Sequence, residues 1–184
     1  MKNTAKKSKY LSLLLRHQPE AIGLVLDNEG WASVEELLLK INRTSFSLSF
    51  NELKEIVASN SKKRFSFSTN QTKIRANQGH SIRRIELGLE KTQAPEFLYH
   101  GTVVDFLDAI RKEGLSKMSR NHVHLSTERS TANQVGSRRG KPVILKVNAR
   151  RMQREGYDFY LSDNGVWLTD FVPAAFIEFP NNTK

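Results

Sequence analysis

The residues of this 184-residue sequence best suited to chemistry are cations beside small-residue turns. Arg16 and His17 stand together at the end of LSLLLRHQP, Arg64 precedes FSFS, and Arg138 and Arg139 lie between Gly136 and Gly140. A guanidinium is a planar fork of donors that matches phosphate bidentately, so arginines converging from distant segments would clamp a phosphoryl group. Taken singly, each is more commonly a solvated surface cation, and Arg16 and His17 also suit the negative end of a helix dipole. Convergence is what the phosphate reading requires. His17, with an ordinary pKa of about 6.5, can also exchange a proton near neutrality.

Other chemistries are poorly served. There is no G-x-G-x-x-G, no G-x-x-x-x-G-K-[ST] and no G-x-S-x-G, so a Rossmann fold, a P-loop and a nucleophile elbow are not indicated. His122 and His124 fall two apart on an expected strand and so share a side, but no third ligand stands at a recognisable spacing and no metal is expected. The chain has no cysteine, which removes disulfides, thiolate chemistry and cysteine-based zinc sites.

Several elements must position these residues. Ser8 reads as the cap of a short amphipathic helix that buries Leu11, Leu14 and Leu15 and stops before Pro19. Ser33 with Glu36, and Ser49 with Glu52, have the S-x-x-E spacing of capping boxes opening two more helices. Phe65 and Phe67 alternate with polar residues, a polar turn surrounds Asn70, and Ile74 marks a returning strand, which together make a hairpin flanked by cations. Helices followed by a basic hairpin form a winged-helix-like module suited to nucleic acid. Periodicity fades near Thr92 and Pro95 follows, so the expected division is residues 1–92 and 93–184.

The second half reads as α+β with strands predominating. FLYHGT is a strand entering a glycine turn, VVDFLDAIRKEG a helix ended by Gly114, HVHLS a short strand, and STERSTANQVGSRRG a helix with Ser126 as its expected cap. KPVILKV is a central strand, ARRMQREG a helical turn, YDFYLSDNGVWLTD a hairpin folded at Asn164-Gly165, and FIEF a last strand.

Formal net charge is +10. The excess is uneven, with sixteen basic against nine acidic residues in 1–92 and thirteen against ten in 93–184. A basic lobe favours a polyanion, here nucleic-acid backbone, although charge of this size also serves solubility. No apolar run approaches the roughly 20 residues that span a bilayer. The Lys-rich start resembles a signal-peptide n-region, but Arg16 and His17 break the apolar segment behind it and no small-residue cleavage site follows. A cytoplasmic protein is expected, and nothing in the sequence demands more than a monomer.

The succession SKYLSLLLRHQPEAIGLVLDNEGWASVEELL, SKKRFSFS, IRANQGHS, FLYHGT, VHLS, VGSRRGKPVIL and NGVWLT resembles the RNA 2'-phosphotransferase family, the Kpt type of bacteria and its fungal tRNA-splicing counterpart. The similarity runs through nearly the whole chain in order. It implies a winged-helix-like lobe followed by an ADP-ribosyltransferase-type lobe. The implied activity is transfer of an internal RNA 2'-phosphate to NAD+ as co-substrate. Nicotinamide leaves, an ADP-ribosylated 2'-phosphate forms on the RNA, and transesterification yields 2'-OH RNA and ADP-ribose 1'',2''-cyclic phosphate.

By that resemblance the catalytic residues are Arg16, His17, Arg64 and Arg138, the last preferred over Arg139 because relatives often differ at the neighbouring position. The implied NAD+ contacts are His100, Gly101 and Thr102 in one motif and His124, Leu125 and Ser126 in another. His100 is expected to touch a ribose hydroxyl, with Gly101 letting the backbone come close to the ligand. Ser126 serves equally as a helix cap.

A third motif, NGVWLT, departs from most ADP-ribosyltransferases in having Val166 and no catalytic glutamate. The departure fits the chemistry, because a phosphate dianion is already an anionic nucleophile and needs no general base. Charge neutralisation and orientation are what remain to be supplied. On this reading Arg64 and Arg138 clamp the transferred phosphate in a basic cleft, and Arg16 and His17 support the second step. Two other readings compete: a winged-helix DNA-binding protein with a degenerate second lobe, and an ADP-ribosyltransferase that modifies terminal phosphates without releasing a cyclic product.

Overall fold

The computed structural model describes residues 2–60 and 62–180. Ser61, which opens the SKKRF stretch, lies outside them. Helices and strands mix throughout, an α+β architecture, and the chain divides into two compact units after Gly88.

The first unit opens with α1 (Lys2–Arg16), which buries Leu11, Leu14 and Leu15 completely. It begins earlier than the expected cap at Ser8, because the preceding Ala and Lys residues are good helix formers with no glycine or proline among them. Ser8 is interior, and its carbonyl accepts from the Ser12 hydroxyl. The end is where Pro19 dictates. The Leu13 carbonyl accepts from both His17 and Gln18, so the last turn loosens, and a 3-10 turn (Pro19–Ile22) leads to Gly23 at φ +65°.

Strand β1 (Ala32–Ser33), α2 (Val34–Ile41), α3 (Phe50–Ala58), β2 (Phe65–Phe67) and β3 (Lys73–Ala76) complete this unit. The antiparallel sheet runs β1-β3-β2, with Phe65 opposite Ala76 and Ala32 opposite Ile74. The two cap spacings have different outcomes. Ser49 and Glu52 form the full reciprocal box, whereas Ser33 accepts from the Glu36 amide alone, because the Glu36 carboxylate turns to Lys40 one helical turn on. Leu37, Ile41, Leu48, Leu53, Phe65 and Ile74 join the α1 leucines in one core.

The second unit carries β4 (Leu98–Val103), α4 (Leu107–Glu113), β5 (Leu115–Ser116), β6 (Val123–Leu125), α5 (Arg129–Gly136), β7 (Pro142–Val147), α6 (Ala149–Arg154), β8 (Tyr160–Leu161), β9 (Trp167–Thr169), β10 (Phe171–Val172) and β11 (Ile177–Glu178). Its sheets are β11-β7-β4, β6-β9-β8 and the pair β10-β5. Strand β7 is central to the first, and alternation puts Val143, Leu145 and Val147 into a core that includes Leu98, Met152, Phe159 and Trp167. The short pair β5-β10 carries too little periodicity to be read from sequence. The Asn164-Gly165 turn forms with Gly165 at φ +76°, and the Ser162 hydroxyl braces it against Val166.

Helix α5 starts at Arg129, not at Ser126. Glu128 occupies the cap position with no side-chain bond, and Ser126 Oγ accepts from the Glu128 amide 3.0 Å away, closing a turn ahead of the helix. The carbonyl and amide of Ser126 pair instead with the Tyr99 backbone (2.7 and 3.0 Å), a bridge joining β6 to β4.

Candidate active site

Three of the expected catalytic cations share the first unit, and one loop touches the chain at all of them. After β3 the backbone runs through Asn77, Gln78, Gly79, His80 and Ser81. The Asn77 amide donates to the Arg64 carbonyl (2.9 Å), and its side-chain nitrogen donates to the Lys63 carbonyl (2.8 Å), holding Lys63 at φ +40° just before β2. Gly79, at φ +87°, lies against the Arg16 side chain: a Cβ there would be 3.6 Å from Nη1 and 3.8 Å from Cζ. The Ser81 amide donates to the Arg16 carbonyl (3.0 Å), and Ser81 Oγ shares a hydrogen bond with His17 Nδ1 at 2.9 Å.

The loop is itself anchored. His80 is buried and packs on Gly30, where a Cβ would be 3.1 Å from its Nε2. Arg64 gives Nη1 to Asn60 Oδ1 at 3.0 Å, which uses one of its five donors. A separate groove on this unit, lined by Asp27, Trp31, Phe67 and Lys73 among others, includes none of these cations.

The second unit holds the remaining candidates. His100, on β4, has Nδ1 3.0 Å from the His124 carbonyl. A carbonyl only accepts, so Nδ1 carries the proton and Nε2 of the neutral ring is an acceptor. Burial pushes the His100 pKa down, and the charges of Arg120 and Arg139 push the same way. A neutral imidazole with an open acceptor suits a ligand hydroxyl. Arg120 is likewise held below its ordinary value, by desolvation first and then by Arg138 and Arg139. Arg120, Arg138 and Arg139 are all exposed, and the like charge that bears on Arg120 is one a bound anion would offset.

Gly101 makes a close approach within the protein itself. A Cβ on it would lie 1.8 Å from the Ala132 carbonyl oxygen and 2.9 Å from the Gly136 amide, so the close approach it permits is that of α5. Gly136 matches it, with its own Cβ position 2.9 Å from the Thr102 carbonyl. This contact fixes the helix end from which Arg138 and Arg139 project. Thr102 and Leu125 are buried, Leu125 in the apolar core. The His124 carbonyl and the Ser126 backbone, by contrast, act as struts for β4. Val166, in the third motif, braces a turn and leads into β9.

No motif singles out Arg120, and the Asn77–Ser81 loop lies within the IRANQGHS stretch, to which no site role was assigned. Arg120 stands two residues before the H-x-H pair, where adjacency to a strand was its only sign. The loop's sign was Gly79 among polar residues.

A family model described as "RNA 2'-phosphotransferase, Tpt1 / KptA family" matches residues 2–171. The chain belongs to this family. It is 56% identical over 178 residues to a probable RNA 2'-phosphotransferase of Flavobacterium johnsoniae, covering 96% of this chain and 97% of that one. It is 49% identical to one from Rhodopirellula baltica, with 97% of each chain covered. A third, from Fusobacterium nucleatum, is 50% identical over 180 residues, covering 97% of this chain and all of its own. Among the described residues no helix is long and apolar enough to cross a membrane, and no three metal-ligating side chains come together.

Proposed function

We propose that this protein is an NAD+-dependent RNA 2'-phosphotransferase that moves an internal RNA 2'-phosphate to NAD+, releasing nicotinamide, 2'-OH RNA and ADP-ribose 1'',2''-cyclic phosphate. Family membership supports the RNA 2'-phosphate as the group transferred. The observation that carries the NAD+ reading is the neutral His100 ring beside Arg120 and Arg139. A ribose hydroxyl donates to Nε2, and the guanidinium groups offset the charge of a diphosphate.

The first unit supports a winged-helix-like reading through its order of α1, β1, α2, α3 and a final hairpin with sheet order β1-β3-β2. Arg16, His17 and Arg64, fastened to one loop, neutralise the RNA phosphate there. The second unit is read as an ADP-ribosyltransferase-type lobe in which Arg120 and Arg138 serve anionic charge. In the first step the phosphate oxygen attacks C1'' and the bond to nicotinamide breaks. In the second, the 2''-oxygen bonds to phosphorus and the RNA 2'-oxygen departs, losing and gaining one proton respectively. Arg16 and His17 support this second step, in which positioning and electrostatics dominate.

The test is incubation with a short RNA bearing one internal 2'-phosphate, with and without NAD+, following RNA and nucleotide products. NAD+-dependent loss of the phosphate with the cyclic product is expected. Unchanged RNA alongside tight, salt-sensitive duplex DNA binding would replace this reading with that of a winged-helix DNA binder.

A further inference from the structure

His17 follows the last residue of α1 and is exposed, so its ring would ordinarily sample several rotamers and either tautomer. Here it is held by a residue distant in the sequence. Ser81, 64 positions later, reaches the same turn twice, with its amide on the Arg16 carbonyl and its hydroxyl on the His17 ring. The first bond fixes where the Ser81 Cα stands relative to the His17 backbone. The second then fixes where the ring points.

We propose that Ser81 is the positioning residue for His17, a role that rests on the reading of His17 as a second-step group. A hydroxyl suits it because its oxygen accepts from Nδ1–H without adding charge. With Nδ1 protonated in both charge states of His17, Nδ1–H donates to Ser81 Oγ throughout, and Nε2 is left to take up and release the proton. The ring therefore keeps one orientation while a proton passes through Nε2. A carboxylate at position 81 would instead favour the imidazolium and resist its loss of a proton. The anchored stretch Gly79-His80 carries Ser81 to this point, since Gly79 lies on the Arg16 side chain and His80 is sealed against Gly30.

The test compares Ser81→Ala, Ser81→Thr and His17→Ala in single-turnover reactions on 2'-phosphorylated RNA, with 15N spectra of the His17 ring recorded on the folded proteins. Ser81→Ala is expected to slow decay of the ADP-ribosylated RNA by about tenfold or more, leaving its formation and the KM for NAD+ unchanged. Ser81→Thr, which keeps the hydroxyl, restores the rate. In the spectra, loss of the hydroxyl moves the Nδ1 resonance toward that of a free imidazole. Wild-type decay together with an unmoved Nδ1 resonance in Ser81→Ala would overturn the proposal. If His17→Ala itself leaves decay of the intermediate unaffected, the second-step reading fails; the Nδ1 shift in Ser81→Ala still reports whether Ser81 holds the ring.

Discussion

The Cβ position of Gly101 lies 1.8 Å from the carbonyl oxygen of Ala132, closer than any side-chain atom can stand. The obstacle is backbone, so no rotamer relieves it, and α5 must lift from β4 if any other residue is placed there. Gly101→Ala is therefore expected to cost at least about 3 kcal/mol, the upper range for overpacking. At roughly 2–4 °C of Tm per kcal/mol for a chain this long, thermal melting will register it. Because Arg138 and Arg139 ride on the same helix end, turnover should fall even in the fraction that remains folded, as active-site titration would show.

Replacing His100 by Ala removes the acceptor offered to a ribose hydroxyl. KM for NAD+ should rise about tenfold or more, with RNA affinity unchanged, because a site built to hydrogen-bond a hydroxyl loses most when the partner atom is deleted. Initial rates against NAD+ concentration will separate the two.

The folded-state pKa values of His100 and His122 are both lowered, chiefly by burial. Between those values and the unfolded value of about 6.5, the unfolded chain binds more protons, so stability rises with pH in that window and is lost as pH falls through it. Tm should drop on acidification below about pH 6.5, and His100→Asn should flatten the drop. Calorimetry from pH 7.5 to 5 measures it.

After desolvation, the charges of Arg138 and Arg139 hold the Arg120 pKa down, a like-charge cost that a bound anion would offset. Arg120→Ala is expected to lower turnover about 10²–10³-fold, the range for deleting one charge-stabilising donor, while leaving Tm unchanged or slightly raised. A loss of Tm alongside activity would instead make Arg120 structural.

The reciprocal Ser49–Glu52 box sets a different scale. Ser49→Ala should cost about 1 kcal/mol. Ser126→Ala, whose hydroxyl closes a turn before α5 but caps nothing, should cost less. Urea unfolding of both variants checks the contrast.

Legibility in the sequence followed the range of the interaction. Leucines 11, 14 and 15, the Phe65–Phe67 alternation and the KPVILKV strand announce themselves through local periodicity, and the structure forms those elements. The start of α1 and the cap of α5 differ from the expected positions because two serines carry a cap signature that neighbouring residues override, Lys and Ala by helix propensity and Glu128 by taking the cap position. The cations Arg16, His17 and Arg64 could be picked out by type, but their fastening to Asn77 and Ser81 spans up to 64 positions and has no periodicity to betray it. Arg120 gives no local signal, because the charges of Arg138 and Arg139 bear on it only after β6, α5 and the turn behind them have folded. Gly101 stands out in the sequence, but a glycine's context does not say that α5 is among the backbones that approach it.

Three of the bonds that tie the Asn77–Ser81 loop to its neighbours use main-chain groups on at least one side: Asn77 to Arg64, Ser81 to Arg16, and the Asn77 side chain to Lys63. The first two survive almost any substitution that leaves the backbone path intact, proline at the donor positions excepted. The spacing of Arg16 from Arg64 is thereby insulated from mutational drift in the side chains around it. A lineage could exchange much of this loop's surface for another and still inherit the same arrangement of positive charge.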